Sequence, residues 1–280
     1  MIPIRDSIPT HSIPYVTIGL IVVNTLIFLV EWKGDMQTMI WKYGYVPAKL
    51  VVGSEEFAEE LERHPPTRPV VDRYGRPLGD IFGRPLVEPD TAAIKAATAL
   101  PAWVGIFSCM FLHGGWMHLL GNMLYLWIFG NNIEDRLGPI LYLVFYIGTG
   151  LVGNVAHTIF DQSFSPLVGA SGAISGVMGA YILLFPRARI LGVVPLGWYP
   201  LTVSLPAWAF LGIYFLIQNL YPAYFSAAHF GARQEGVAFL AHIGGFLSGM
   251  ALIYVFPHRK VRPVEQPAYD PEKDDADVVI

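Results

Sequence analysis

Charge is scarce in this 280-residue chain. Asp, Glu, Lys and Arg make up 14% of it and hydrophobic residues 54%, whereas a soluble globular protein carries about a quarter charged residues. With a mean hydropathy of +0.47, that imbalance excludes an ordinary soluble globule and points to an integral membrane protein. Cysteine is nearly missing: Cys109 stands alone, so no intramolecular disulfide can form and cysteine usage does not report a redox compartment. A surplus of positive charge is missing too, since the formal net charge is −4, and nothing suggests a nucleic-acid partner. Sustained polar–apolar alternation, which a membrane β-barrel needs, does not occur. A cleaved leader is not expected, because Arg5, Asp6 and three prolines precede the first apolar run and no small-residue cleavage site follows it.

What is present is a series of six apolar runs, at Tyr15–Trp32, Trp116–Phe129, Pro139–Phe160, Ser171–Phe185, Ala207–Tyr221 and Gly236–Phe256. Backbone groups in lipid must be satisfied within their own segment, so each run predicts a helix. The short segments on one side hold Arg5, Arg136, Arg187, Arg189, Arg259, Lys260 and Arg262, whereas the opposite short loops hold only Arg233. That bias predicts both termini in the cytoplasm. The long loop 33–101 also carries Lys33, Lys42 and Lys49, but long loops translocate largely regardless of charge. In that loop "SEEFAEELERH" reads as a short helix with Ser54 as its N-cap, although Phe57 stands where a capping box needs Glu or Gln. The near-repeats "DRYGRPLG" from Asp72 and "DIFGRPLV" from Asp80 read as a pair of turns forming a small hairpin. The expected layout is a short cytoplasmic segment 1–14, a membrane domain 15–256 with loop 33–101 inserted, and a polar, acidic, disordered tail 257–280.

Polar residues in apolar spans are functional candidates by default. In "HGGWMHLLGN", His118 and Asn122 share one helix face and His113 falls just ahead of the helix. The spacing lacks the paired histidines and glutamate of a metalloprotease helix, so no metal is expected. Interhelical hydrogen bonding is the plainer reading. In "GASGAISG" (Gly169–Gly176), Ser171 begins a run that reaches Phe185. Such a run rises about 23 Å, short of a hydrocarbon core about 30 Å thick. The helix therefore starts below the membrane surface, with Ser171 among free N–H groups at a positive helix end. In "AHIGGFLSG", Gly245 and Gly249 share a face with His242, while Gly172, Gly176 and Ala180 make a matching stripe beside Ser171. Small stripes let backbones approach closely, and pairing these two brings His242 to Ser171, a serine nucleophile with a histidine base. "FGNNIEDRLG", with Glu134, Asp135 and Arg136, reads as a capped, hydrogen-bonded cytoplasmic turn.

Taken in order, "HGGWMHLLGNMLYLWIFGNNIEDRLG", "GASGAISG" and "AHIGGFLSG", with "YGYVPAKL" in the first loop, resemble the rhomboid family of intramembrane serine proteases. The resemblance spans roughly residues 13–256 and implies an all-α membrane protein: a six-helix transmembrane bundle with a long first extramembrane loop. It implies Ser171 as nucleophile, His242 as base, and an oxyanion hole from His118, Asn122 and the Ser171 N–H. It gives structural support near the site to His113, Gly169, Gly172, Gly245 and Gly249. Substrates would be transmembrane segments entering laterally from the bilayer, past the fifth helix, with no cofactor, metal or nucleic acid. Six spans suit a prokaryotic plasma membrane. Two positions depart from the pattern. Val104-Gly105 replace a Trp-Arg pair that anchors the first loop in some members, and Ser175 replaces a tyrosine that stacks on the base. An inactive relative that binds transmembrane segments is one alternative. A six-span transporter is another, against which the chain shows no inverted repeat.

Overall fold

A short strand comes first in the computed structural model, which describes residues 1–72, 76–80, 84–196, 199–228, 238–257 and 259. This strand, β1 (Ile2–Asp6), leads into α1 (Tyr15–Lys33). The segment after α1 is more ordered than the sequence suggests. It holds α2 (Met36–Tyr43), α3 (Pro47–Val51), α4 (Ser54–Arg63), two short paired strands β2 (Thr67–Pro69) and β3 (Val87–Pro89), and α5 (Thr91–Ala99). α6 (Ala102–Ser108) follows, running into a 3-10 turn. α7 (Trp116–Tyr125) passes without a break through a π-helical turn, Leu126–Gly130, into α8 (Asn131–Leu137). Then come α9 (Pro139–Phe160), α10 (Ser171–Leu184), the antiparallel pair β4 (Arg189–Leu196) and β5 (Tyr199–Pro206), and α11 (Ala207–Phe215). A second π turn, Leu216–Leu220, joins α11 to α12 (Tyr221–Ala228), and α13 (Phe239–Leu252) follows.

The chain is mostly helical, and α1 and α9 are long and apolar enough to cross a membrane. α5 and α6 pass the same test as one pair bent by 97°, and α10 and α13 are shorter apolar helices.

Four expectations change. The chain is not all-α: β1, β4 and β5 form an antiparallel sheet in that order. β1 pairs Ile2 with Val193 and Asp6 with Ile190, which ties the first residues of the chain to the segment after α10. The stretch Asn131–Leu137 is helix rather than turn. Nothing interrupts its backbone ladder before Gly138, at φ +76°, where Pro139 opens α9. There Glu134 caps a different helix, accepting from Val16 N at 2.9 Å and Thr17 N at 2.8 Å. Ser54 is the first helical residue of α4, and Gly53, at φ +88°, takes the cap position with no side-chain bond. The near-repeats make more than one hairpin. Val70 N donates to Leu86 O, Leu78 N to Val70 O and Leu86 N to Leu78 O, all at 2.8 Å, a closed ring of three backbone bonds. At each turn an aspartate, Asp72 or Asp80, accepts from the backbone N–H and guanidinium of the arginine four residues on. Residues 73–75 and 81–83, Arg233, Lys260, Arg262 and most of the expected tail lie outside the described residues.

Among the described residues, two hydrophobic cores hold the fold. The larger centres on α10, whose residues Gly172 through Tyr181 are all buried. The smaller joins Val46, Ala48, Phe57, Leu61 and Ala97, so the first loop has a core of its own. It docks on the strand-like approach to Ser171: Phe57 stacks on Phe164 at 5.8 Å, and Tyr45 and Leu167 exchange backbone bonds of 3.0 and 2.7 Å.

Candidate active site

α10 starts at Ser171 because the preceding chain is tied to its neighbours, Leu167 to Tyr45, until it turns. Gly169 makes that turn at φ +127°, and its N–H donates to Cys109 O at 2.8 Å. A side chain at 169 is excluded twice, by the backbone angle and because a methyl group there would lie 2.8 Å from His118 Nε2. Ser171 is thus the first residue of a helix, with the first-turn N–H groups unpaired by the helix itself.

The small-residue faces of α10 and α13 lie against each other. A Cβ at Gly245 would run into the carbonyl oxygen of Gly172, and one at Gly249 into that of Gly176. On the far side of α10, a Cβ at Gly176 would strike Thr149 of α9. This close contact carries His242, near the start of α13, to Ser171: Nε2 stands 2.7 Å from Ser171 Oγ. Nδ1 stands 2.9 Å from Asn219 Oδ1. The helix register, set by glycine backbone contacts, therefore fixes the serine–histidine distance.

His118 and Asn122 sit one helical turn apart on α7. Gly169 is wedged between His118 and Ser171, since the same methyl group would also lie 3.5 Å from the Ser171 hydroxyl oxygen. His118 Nδ1 accepts from Gly114 N at 3.4 Å, leaving Nε2 toward the serine side. Asn122 is buried, and its amide Nδ2 has no hydrogen-bond partner. A buried donor without a partner costs about 1–3 kcal/mol, a cost that a bound oxyanion would remove. His113 is fully buried, edge-on to His118 at 5.2 Å, and its backbone N–H donates to Glu31 of α1 at 3.2 Å.

The two departures have local structural counterparts. At Val104-Gly105 the first loop is anchored by backbone contact: a Cβ at Gly105 would run into Gly44 O at 2.5 Å, and Ser108 Oγ donates to Tyr43 O at 2.5 Å. Ser175 is buried on α10, and the side chain bonded to the far nitrogen of His242 is Asn219, from the π turn after α11. Sequence reading missed Asn219 and Glu31. Glu31 was visible as an acid at the end of an apolar run, while Asn219 depends on a π turn that no local pattern announces. Among the described residues there is no cluster of three His, Cys, Asp or Glu side chains placed to hold a metal ion.

The Rhomboid domain family matches residues 101–259, more than half of the chain, and every residue just described except Glu31 and the first-loop contacts falls within it. Rhomboid-like protein 11, chloroplastic, of Arabidopsis thaliana is 29% identical over 159 residues, 55% of this chain and 53% of that protein. Rhomboid protein 1, mitochondrial, of Saccharomyces cerevisiae is 30% identical over 152 residues, 52% of this chain and 40% of that protein. Rhomboid protease GluP of Bacillus subtilis is 35% identical over 94 residues, 33% of this chain and 18% of that protein. The chain spans about half or less of the length of these relatives. On the family match and these similarities together, the chain belongs to the rhomboid family.

Proposed function

We propose that this protein is an intramembrane serine endopeptidase that cuts membrane-anchored proteins in or near their transmembrane segments. The observation that carries the reading is the 2.7 Å contact between Ser171 Oγ and His242 Nε2 at the first residue of α10. His242 takes the hydroxyl proton as Ser171 attacks the scissile carbonyl carbon. The carbonyl oxygen becomes an oxyanion, held by the Ser171 N–H, His118 and Asn122, all donors that exist before substrate arrives. His242 returns the proton to the leaving amine. Water, deprotonated by the same histidine, then releases the acyl group and restores Ser171. One relative, GluP, is itself named a rhomboid protease.

The six-span layout belongs to this proposal. α7 and α8 form one helical run from Trp116 to Leu137, and α11 and α12 one from Ala207 to Ala228. Each rises about 33 Å at ~1.5 Å per residue, enough to cross a hydrocarbon core. With α1, α9, α10 and α13 they make six spans inside domain 15–256. Arg187 and Arg189 follow α10 on the side to which charge bias assigns the cytoplasm. We place the chain in a prokaryotic plasma membrane, with both termini cytoplasmic and the first loop outside. A relative that merely binds transmembrane segments needs neither a serine nor a base, and here the two are in contact.

The test is cleavage of a model single-span substrate in proteoliposomes by wild type and Ser171→Ala. The reading expects a product from wild type only. Equal product from both, or none from a well-folded wild type across a panel of spans, contradicts it.

A further inference from the structure

The base of a serine–histidine pair has two ring nitrogens, and only the tautomer protonated on Nδ1 leaves Nε2 a lone pair for the hydroxyl proton. Something must select that tautomer and hold the ring. In this protein the atom 2.9 Å from His242 Nδ1 is Oδ1 of Asn219. Asn219 is 2% exposed, while Leu216, Ile217 and Leu220 around it in the same turn are exposed. The turn is π-helical. A π turn inserts an extra residue and rotates the face of the helix, and such turns recur at functional sites. Here it turns Asn219 inward while the residues on either side of it in the turn lie on the surface. One turn earlier Phe215 stacks on Phe246 of α13 at 4.3 Å, which fixes α11 against the helix that carries His242.

We infer that Asn219 is a positioning residue whose Oδ1 accepts a hydrogen bond from Nδ1–H of His242, completing a Ser171–His242–Asn219 hydrogen-bonded chain whose third member sits on the helical run α11–α12. The inference rests on the protease reading above.

The experiment compares full-length wild type, Asn219→Ala and Asn219→Asp in mild detergent, reading kcat, KM and the pH profile on a model transmembrane substrate. Asn219→Ala is expected to lower kcat by about tenfold to a hundredfold with KM within about twofold. An ionised Asp in Asn219→Asp can only accept a hydrogen bond at this position, so it is expected to restore activity. It also adds a negative charge that favours the imidazolium, so it should move the acid limb of the profile to higher pH. Among the described residues, the other titratable groups acting on His242 are His118 and His157, and His157 Nε2 is 3.6 Å from Asp161, so all variants keep these three unchanged. An active wild type matched by Asn219→Ala, or an Asn219→Asp whose acid limb does not move, overturns the inference and leaves the protease reading intact. A wild type without Ser171-dependent cleavage overturns both. Should the variants fail to fold, nitrogen NMR of histidine-labelled wild type decides: a proton on Nδ1 of His242 is expected, and one on Nε2 overturns the inference.

Discussion

At Gly169 the chain stands at φ +127° with His118 on one side and Ser171 on the other. Alanine there meets both an unfavourable backbone angle and the imidazole, so Gly169→Ala is expected to displace His118 or Ser171. Cleavage should fall at least tenfold while the melting temperature moves by a few degrees. Activity within twofold of wild type would show that neither group depends on this turn. Gly249 tests packing instead. A Cβ there runs into the Gly176 carbonyl oxygen, and backbone oxygen, unlike a flexible side chain, gives way only if a whole helix shifts. Gly249→Ala is therefore expected to cost about 1–3 kcal/mol, measured by thermal unfolding in detergent, and to reduce cleavage as His242 moves off Ser171. An unchanged melting temperature would break the link between glycine contact and the serine–histidine distance.

Among the elements, the first loop has the plainest consequence. Phe57 of α4 is fully buried and stacks on Phe164, seven residues before Ser171. Phe57→Ala is expected to cost about 3–5 kcal/mol by the usual scale for a buried aromatic, and to lower cleavage by loosening the approach to Ser171. If the loop core melts while cleavage holds, the loop does not support the site. The sequence made the helices legible where apolar runs were bounded by strong signals. Pro139 opens α9, and the Ser171 and Phe185 ends of α10 fall within a residue of the observed ones. It hid three things. Asn131–Leu137 looks like a loop because it is polar, yet its polar side chains work inside the fold, with Glu134 capping α1 and Asn132 donating to Asp6 at 2.8 Å. In the β1–β4–β5 sheet the β1–β4 pairing joins residues about 190 positions apart, and nothing local encodes it. Asn219 looks like an ordinary polar interruption until the π turn rotates it inward. The glycine stripes beside Ser171 and His242 were readable because their spacing alone puts each stripe on one face of its helix.

For the whole molecule, topology is the open physical claim. Cys109, the one native cysteine, is buried, so introduced cysteines can be read against a quiet background. Glu56 on α4 and Arg187 after α10 are both exposed. In intact cells a membrane-impermeant maleimide is expected to label Glu56→Cys, and to label Arg187→Cys only after permeabilisation. The reverse pattern would invert the protein in the membrane. At the same scale, β1 ties the chain's beginning to α10 through the Tyr181 hydroxyl, which donates to Asp6. The N-terminal segment thus braces the helix that presents Ser171 from its far end.

The central claim is that Ser171 is a nucleophile activated by His242. The most direct measurement is labelling by a fluorophosphonate probe in mild detergent, comparing wild type with Ser171→Ala and His242→Ala, each checked for folding. Wild type is expected to take the label, and both variants to lose it. Undiminished labelling of folded Ser171→Ala or His242→Ala would contradict it.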